Sequence, residues 1–141
     1  MQTFLPDHSY IISAKILDRQ RLGKQRVEAY QILRALRGES KGWVNHPATR
    51  MWRGYERSLI HYTTVMCDEW TARGYKDSIK DKVQAMLVDH PDYEPVPWLT
   101  FDLVRSHQSN LVRKNPEHYR PYFPAVPDNL AYVWPVTEDN R

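Results

Sequence analysis

The 141-residue chain has one cysteine, Cys67, so no internal disulfide can form and a reducing cytoplasm is the expected setting. No apolar run approaches the roughly 18 residues of a membrane span, so no membrane association is expected. The opening Met1-Gln2-Thr3-Phe4-Leu5-Pro6 lacks the basic and apolar regions of a secretion signal, which again favours the cytoplasm. The six histidines (8, 46, 61, 90, 107 and 118) form no HxxxH pair and have no acid at metal-ligand spacing, so no metal is expected. The glycine-rich loops of nucleotide binding are missing, as is a Gly-x-Ser-x-Gly elbow, and no cofactor is expected. No stretch alternates as a strand, and no segment repeats.

What is present is concentrated basic charge. Between Lys15 and Arg37 lie seven Lys/Arg (15, 19, 21, 24, 26, 34 and 37) and two acids, Asp18 and Glu28, a net of +5. The whole chain carries only +3, so everything outside that segment sums to −2. Such a segment suits a polyanion, and an acid among the bases suggests a reaction performed there. Aromatics are also abundant, with five Trp and nine Tyr, many of them after Tyr93 in Pro-rich stretches.

Residues 1–12 read as an extended arm with a turn at Pro6-Asp7. A first helix is predicted from an N-cap at Ser13 to just before Gly38. Leu22, Arg26, Ala29, Leu33 and Leu36 form one side of it, and Arg21, Lys24, Gln25 and Glu28 another. Gly23 in mid-helix costs roughly 1 kcal/mol against Ala, which a close approach of another backbone or of a ligand would explain. Gly38 to Val44 is a loop. Asn45-His46-Pro47 starts a second helix, with Asn45 or His46 as its cap and Pro47 at its first position, that ends at Gly74, with Trp52, Tyr55, Leu59, Tyr62, Met66 and Trp70 inward. A third spans Asp77 to Val88, a loop follows from His90 to Pro97, and a fourth spans about Thr100 to Lys114 with His107 on its apolar face. The expected fold is a compact all-α domain over 1–141, about four helices with an irregular aromatic and Pro-rich C-terminal tail.

Glu28 is the leading candidate for chemistry, with Arg21, Lys24 and Gln25 one or two helical turns below it. Spacing alone leaves two readings open. One is an exposed Lys24–Glu28 pair worth a few tenths of a kcal/mol. The other is a carboxylate kept ionised by cations that also grip phosphates. Arg50, Arg53 and Arg57, interleaved with Trp52 and Tyr55, resemble a nucleic-acid face, which His46, Arg113-Lys114 and His118-Tyr119-Arg120 could extend. Cys67, beside the core stripe of the second helix, reads as inert.

Three motifs carry a family resemblance: Leu17, Gln20, Leu22 and Glu28 in the first helix; Asn45-His-Pro-Ala-Thr-Arg-Met-Trp-Arg-Gly-Tyr-Glu56; and Ser106-His-Gln-Ser-Asn-Leu-Val-Arg-Lys-Asn-Pro116. Together the chain resembles the pyrimidine-dimer DNA glycosylases, whose phage member incises DNA at thymine dimers. The resemblance implies an all-α fold in which the chain's own N-terminal amine attacks C1′ of a damaged nucleotide. The glutamate at the Glu28 position assists, an imine forms, the base departs, and β-elimination breaks the strand. Gln2 is too large for ready removal of the initiator methionine, which makes the Met1 amine the expected nucleophile. The arginines that the phage member has beside its nucleophile and before its glutamate are Gln2 and Val27 here, with Arg26 one position away.

The chemistry suits the groups. An α-amine has an ordinary pKa near 7.7–8.0 against about 10.4 for lysine, so several hundred times more of it is free base at neutral pH. It is therefore a ready imine-forming nucleophile. The sequence-level expectation is a monomeric glycosylase and abasic-site lyase acting on double-stranded DNA with a pyrimidine-dimer-like lesion. Met1 and Glu28 would be catalytic, and Arg21, Lys24, Arg26, His46, Arg50, Arg53, Arg113 and Lys114 would bind DNA. Two alternatives remain at this level: the same chemistry on another modified base or an abasic site, and a non-catalytic DNA- or RNA-binding helical module.

Overall fold

A computed structural model describes residues 1–93 and 95–135. Seven α-helices follow one another: α1 Tyr10–Ile16, α2 Arg19–Leu36, α3 Pro47–Arg50, α4 Glu56–Ala72, α5 Lys80–Gln84, α6 Phe101–Lys114 and α7 Pro116–Tyr119. A 3₁₀ turn, Ala85–Asp89, continues α5, and no strand occurs among the described residues. The all-α expectation holds, with more and shorter helices than the four expected. No helix among the described residues is long and apolar enough to cross a membrane.

The first predicted helix is in fact two. Ser9, not Ser13, caps α1, its hydroxyl accepting from Ile12 N at 3.2 Å. Leu17 and Asp18 then turn to extended backbone before α2 begins. The break is held from outside the segment. Arg73 Nη2 donates to the carbonyls of Ala14, Lys15 and Leu17 at 3.1, 3.3 and 2.8 Å. His118 Nε2 sits 2.7 Å from Ile16 O, and Asp18 N donates to Tyr119 Oη at 2.9 Å. Partners 56 to 102 residues away satisfy groups that a continuous helix would have paired locally.

The second predicted helix divides in the same way. His46 is its cap, with Nδ1 accepting from Ala48 N at 3.0 Å, and Pro47 takes the first turn as expected. Gly54, at φ +88°, then bends the chain, and α4 starts at Glu56. The third helix begins three residues late because Asp77 caps from outside, its carboxylate accepting from Lys80 N at 2.9 Å. For α6 the expectation is met: Thr100 caps Leu103 N. The short α7 falls where irregular chain was expected; Asn115 caps it, and Pro116 supplies the fixed φ of a first turn.

The pair α2 and α4 forms the centre, with α1 and α5 flanking α4 and α3 against α2. Leu22, Ile32 and Leu33 of α2 and Leu59, Tyr62 and Met66 of α4 are fully buried between them, together with Trp52. Gly23 is explained by a side chain rather than by a backbone or ligand. A Cβ there would meet the Trp70 ring at 3.0 Å.

The N-terminal arm is not a loose extension. Residues 2–6 are buried, and side chains accept from each backbone N–H that segment offers. Gln25 Oε1 takes Phe4 N at 2.7 Å, and His107 Nδ1 takes Leu5 N at 2.9 Å. Thr3 N donates to Gln2 Oε1 at 2.9 Å, and Thr3 Oγ1 in turn accepts from Trp52 Nε1 at 3.0 Å. Gln108 Nε2 reaches Pro6 O at 2.9 Å. Strand-like backbone without a sheet is thus satisfied by α2 and α6.

Burial holds His107 neutral, with its pKa pushed down to about 3. An unfolded histidine takes a proton near pH 6.5, so this contribution is complete above that pH and is lost as pH falls toward 3. Thermal or urea melts between pH 6.5 and 4.5 should show stability falling by up to about 1.4 kcal/mol per pH unit from this group. His107→Asn keeps an acceptor for Leu5 N and should remove that component of the slope. An unchanged slope in the variant would assign the acid sensitivity elsewhere.

The tail from Asp128 to Trp134 lies along the polar side of α6. Asn110 Nδ2 donates to Leu130 O at 3.0 Å, Leu130 N to Ser109 Oγ at 3.0 Å, and Val133 N to Ser106 Oγ at 3.1 Å. Tyr132 and Trp134 are thereby set against the core. The remainder of the predicted tail, residues 136–141, lies outside the described residues.

Candidate active site

The anchored arm delivers Met1 to a pocket of about 300 Å³ that Glu28 also lines. Gln20, Arg21, Lys24 and Gln25 of α2 complete one wall, and Phe4, Lys114 and Tyr132 the other. The helical spacing of Arg21, Lys24, Gln25 and Glu28 therefore does turn all four toward one cavity.

Glu28 is half-buried and is oriented by two donors. Gln2 N and Gln25 Nε2 both reach its Oε2 at 3.4 Å. Gln25 is the hinge of the arrangement. It is buried, and its Oε1 accepts from Phe4 N and from the Tyr62 hydroxyl, each at 2.7 Å. Burial first, with the Glu28 charge nearby, raises the Tyr62 pKa, so the phenol keeps the proton it donates. The sequence showed Gln25 three residues before Glu28 but gave no sign that it would be buried.

The bland reading of Glu28 does not describe this geometry. Among the described residues neither Lys24 nor the Met1 amine is ion-paired with it, and Lys24 and Lys114 form no ion pair at all. The cavity instead separates an amine, a carboxylate and exposed lysines.

Arg21 is placed by its neighbours. Its Nη1 donates to both Asp18 oxygens at 3.2 and 3.3 Å, and Tyr119 Oη also donates to Asp18 Oδ1. Burial alone would raise the Asp18 carboxyl, but these hydrogen bonds outweigh it and hold the pKa below the usual value. His46 lies at the edge of the same region. Burial, then the positive N-terminal amine and Arg50, lower its pKa against the opposing pull of Glu28. Its Nδ1 accepts from Ala48 N, so the proton of the neutral ring is on Nε2.

Not every basic candidate meets at the pocket. Arg26 turns away, ion-paired with Asp77 and standing 4.6 Å over the Trp70 ring. Arg113 donates to Asp128 O at 2.8 Å and to Asn110 Oδ1, which ties the tail to α6. Arg57 is used on His90 O and Pro91 O. Arg50 and Arg53 sit on and just after α3, half-buried and without an ion pair among the described residues. No cluster of metal-binding type occurs among the described residues.

The family model for pyrimidine dimer DNA glycosylase matches residues 1–83. The chain belongs to that family. The match spans α1 to α4 and most of α5, and so takes in Met1, Gln25 and Glu28. Lys114 and Tyr132, which also line the pocket, come from beyond it. No curated protein and no solved structure matches the chain. Membership makes this a DNA glycosylase family protein with DNA as its substrate.

Proposed function

We propose that the protein is a DNA glycosylase with abasic-site lyase activity in which the Met1 amine is the nucleophile and Glu28 its partner. The observation that carries this reading is that Met1 and Glu28 line one pocket, at the end of an arm whose amides from Gln2 to Asp7 are held by side chains. Preorganisation of that kind fixes the amine before substrate arrives.

The amine lone pair adds to C1′, and the glycosidic bond breaks with its electron pair leaving on the base, which takes up a proton. The ionised Glu28 stabilises the positive charge that grows on the sugar as that bond opens. Ring opening and loss of the amine protons give the imine. Removal of the C2′ proton, toward Glu28, then expels the 3′ oxygen and cuts the strand. The natural lesion is of the pyrimidine-dimer type. Arg21, Lys24 and Lys114 rim the pocket as phosphate contacts, and His46, Arg50 and Arg53 extend the DNA surface along α3.

Incubating the protein with abasic duplex DNA and borohydride should give a covalent adduct, because only an imine is reducible in this way. Absence of an adduct under conditions of full binding would favour a non-catalytic DNA-binding module.

The basic residues should separate into two groups. Lys24→Ala with Lys114→Ala should lower the slope of log affinity against log salt by roughly 0.9 per contact on duplex DNA, with little effect on melting. Arg26→Ala should do the reverse. Its side chain and that of Asp77 are 12% and 4% exposed, so removing one leaves a buried charge uncompensated, at roughly 3 kcal/mol. A salt slope that falls in the Arg26 variant and not in the lysine pair would move the DNA surface to the other side of α2.

A further inference from the structure

Gln25 is 2% exposed, and its neighbours allow its amide one orientation only. Phe4 N–H can only donate, so the Gln25 atom that meets it at 2.7 Å is Oε1. Tyr62 donates to the same oxygen at 2.7 Å, and burial keeps that phenol protonated by raising its pKa. With Oε1 taken by the arm and by α4, Nε2 is left to face Glu28, one helical turn on, at 3.4 Å from Oε2.

The two oxygens of Glu28 are not equivalent. A carboxylate oxygen offers about two lone-pair sites. On Oε2 both have a donor, Gln25 Nε2 and Gln2 N, each at 3.4 Å. Contacts of that length are common in a catalytic site before substrate arrives, and they tighten in the complex. Oε1 has no donor among the described residues and is not sealed from solvent. Oε2 is thus tied to the arm twice, directly at Gln2 and through Gln25 at Phe4, while Oε1 stays open.

Resting on the glycosylase reading above, we propose that Gln25 is a positioning residue for Glu28: its amide occupies Oε2 and leaves Oε1 as the oxygen that works on the sugar. In the elimination step the C2′–H electron pair becomes the C2′=C3′ bond. The C3′–O pair leaves with the 3′ phosphate, and the proton ends on Oε1. The same amide sets the spacing of nucleophile and base, because one side chain holds both the arm that carries Met1 and the carboxylate.

The charged and titratable groups around Glu28 come from several elements. The Met1 amine faces it from the arm, Arg21 and Lys24 from its own helix, Lys114 from α6 and the Tyr62 phenol from α4. His46 and Tyr132 lie within range of its charge. Substitution at Gln25 changes the identity of none of them.

The test is Gln25→Glu, which keeps shape and acceptor and exchanges the donor for a carboxyl. Phe4 N–H and the Tyr62 hydroxyl hold the introduced group ionised, so the proton that two adjoining carboxyls must share falls on Glu28. Strand cutting relative to wild type should be down about tenfold or more near pH 6 and recover to within about threefold near pH 9, where that proton leaves. A purely structural loss would give one ratio at every pH. Made in a Glu28→Gln background, the same substitution should change the rate by less than about twofold at either pH, since the group it acts through is gone. A flat ratio in the single variant would overturn the proposal. So would a ratio that still climbs with pH in the Glu28→Gln background, which would assign the effect to the Met1 amine. If the wild type cuts neither abasic nor dimer-containing DNA, the glycosylase reading itself fails, and the contact is decided in the unreacted protein, as it is if Gln25→Glu does not fold. The Gln25 side-chain amide protons should then shift in nitrogen-15 NMR spectra over the carboxylate range, roughly pH 3 to 6, and lose that shift in Glu28→Gln. Amide protons that titrate alike in the two proteins, or in neither, would refute the proposal.

Discussion

Glu28→Gln should bind duplex DNA within about threefold of wild type and cut abasic or dimer-containing strands at least a hundredfold more slowly. The substitution keeps shape and an acceptor oxygen, so the Gln2 N–H at 3.4 Å retains its partner and the arm stays in place. What is lost is the negative charge beside the developing positive sugar and the acceptor for the C2′ proton. Preorganised charge of that kind is worth about 10²–10³ in rate. Gel-based strand cleavage beside a binding isotherm at fixed salt separates the two effects. Cleavage by the variant within about threefold of wild type would reduce Glu28 to an anchor for the arm.

Blocking the N-terminus should be as damaging. An added dipeptide before Met1 turns the amine into an amide, which has no lone pair free for C1′, while residues 2–6 remain buried and pinned. Borohydride trapping should fall to background, with the melting temperature little changed. Reductive methylation at mildly acidic pH, where an α-amine reacts ahead of lysines, should have the same consequence. Lys24 is the internal rival, since it faces the same pocket. Persistent trapping by the extended protein would point to it, and Lys24→Ala would then be the variant to compare.

Several helix ends set by their own residues were readable, although the local caps of α1 at Ser9 and of α7 at Asn115 were not. His46 and Pro47 open α3, Thr100 opens α6, and Gly74, at φ +96°, follows the end of α4, each through a local cap or turn. Breaks imposed from a distance were not. The bend at Leu17 and Asp18 depends on Arg73, His118 and Tyr119, and no local pattern announces such partners. The arm shows the same limit. Residues 1–12 have no periodicity, and the burial of residues 2–6 is made possible by Gln25 and His107, polar residues whose acceptor atoms match the spacing of an extended chain.

The candidate site divides along similar lines. The face of Arg21, Lys24 and Glu28 follows from helical spacing, and those side chains do share a cavity. Arg26 and Arg113 also read as basic surface in the sequence, yet each is committed to a partner, Asp77 in one case and Asn110 with the tail in the other. Charge alone cannot reveal which arginines are already occupied. Tyr132 reaches the pocket only because Ser106, Ser109 and Asn110 hold the tail along α6, a polar stripe that reads as ordinary helix surface.

The most direct test of the amine mechanism is to locate the bond. Protein reduced with borohydride on abasic duplex DNA can be digested, and the nucleotide-bearing peptide sequenced by mass spectrometry. The sugar remnant should be found on the α-nitrogen of Met1, in the peptide that begins the chain. A remnant on the ε-nitrogen of Lys24 or Lys114, with the N-terminal peptide unmodified, would contradict the account.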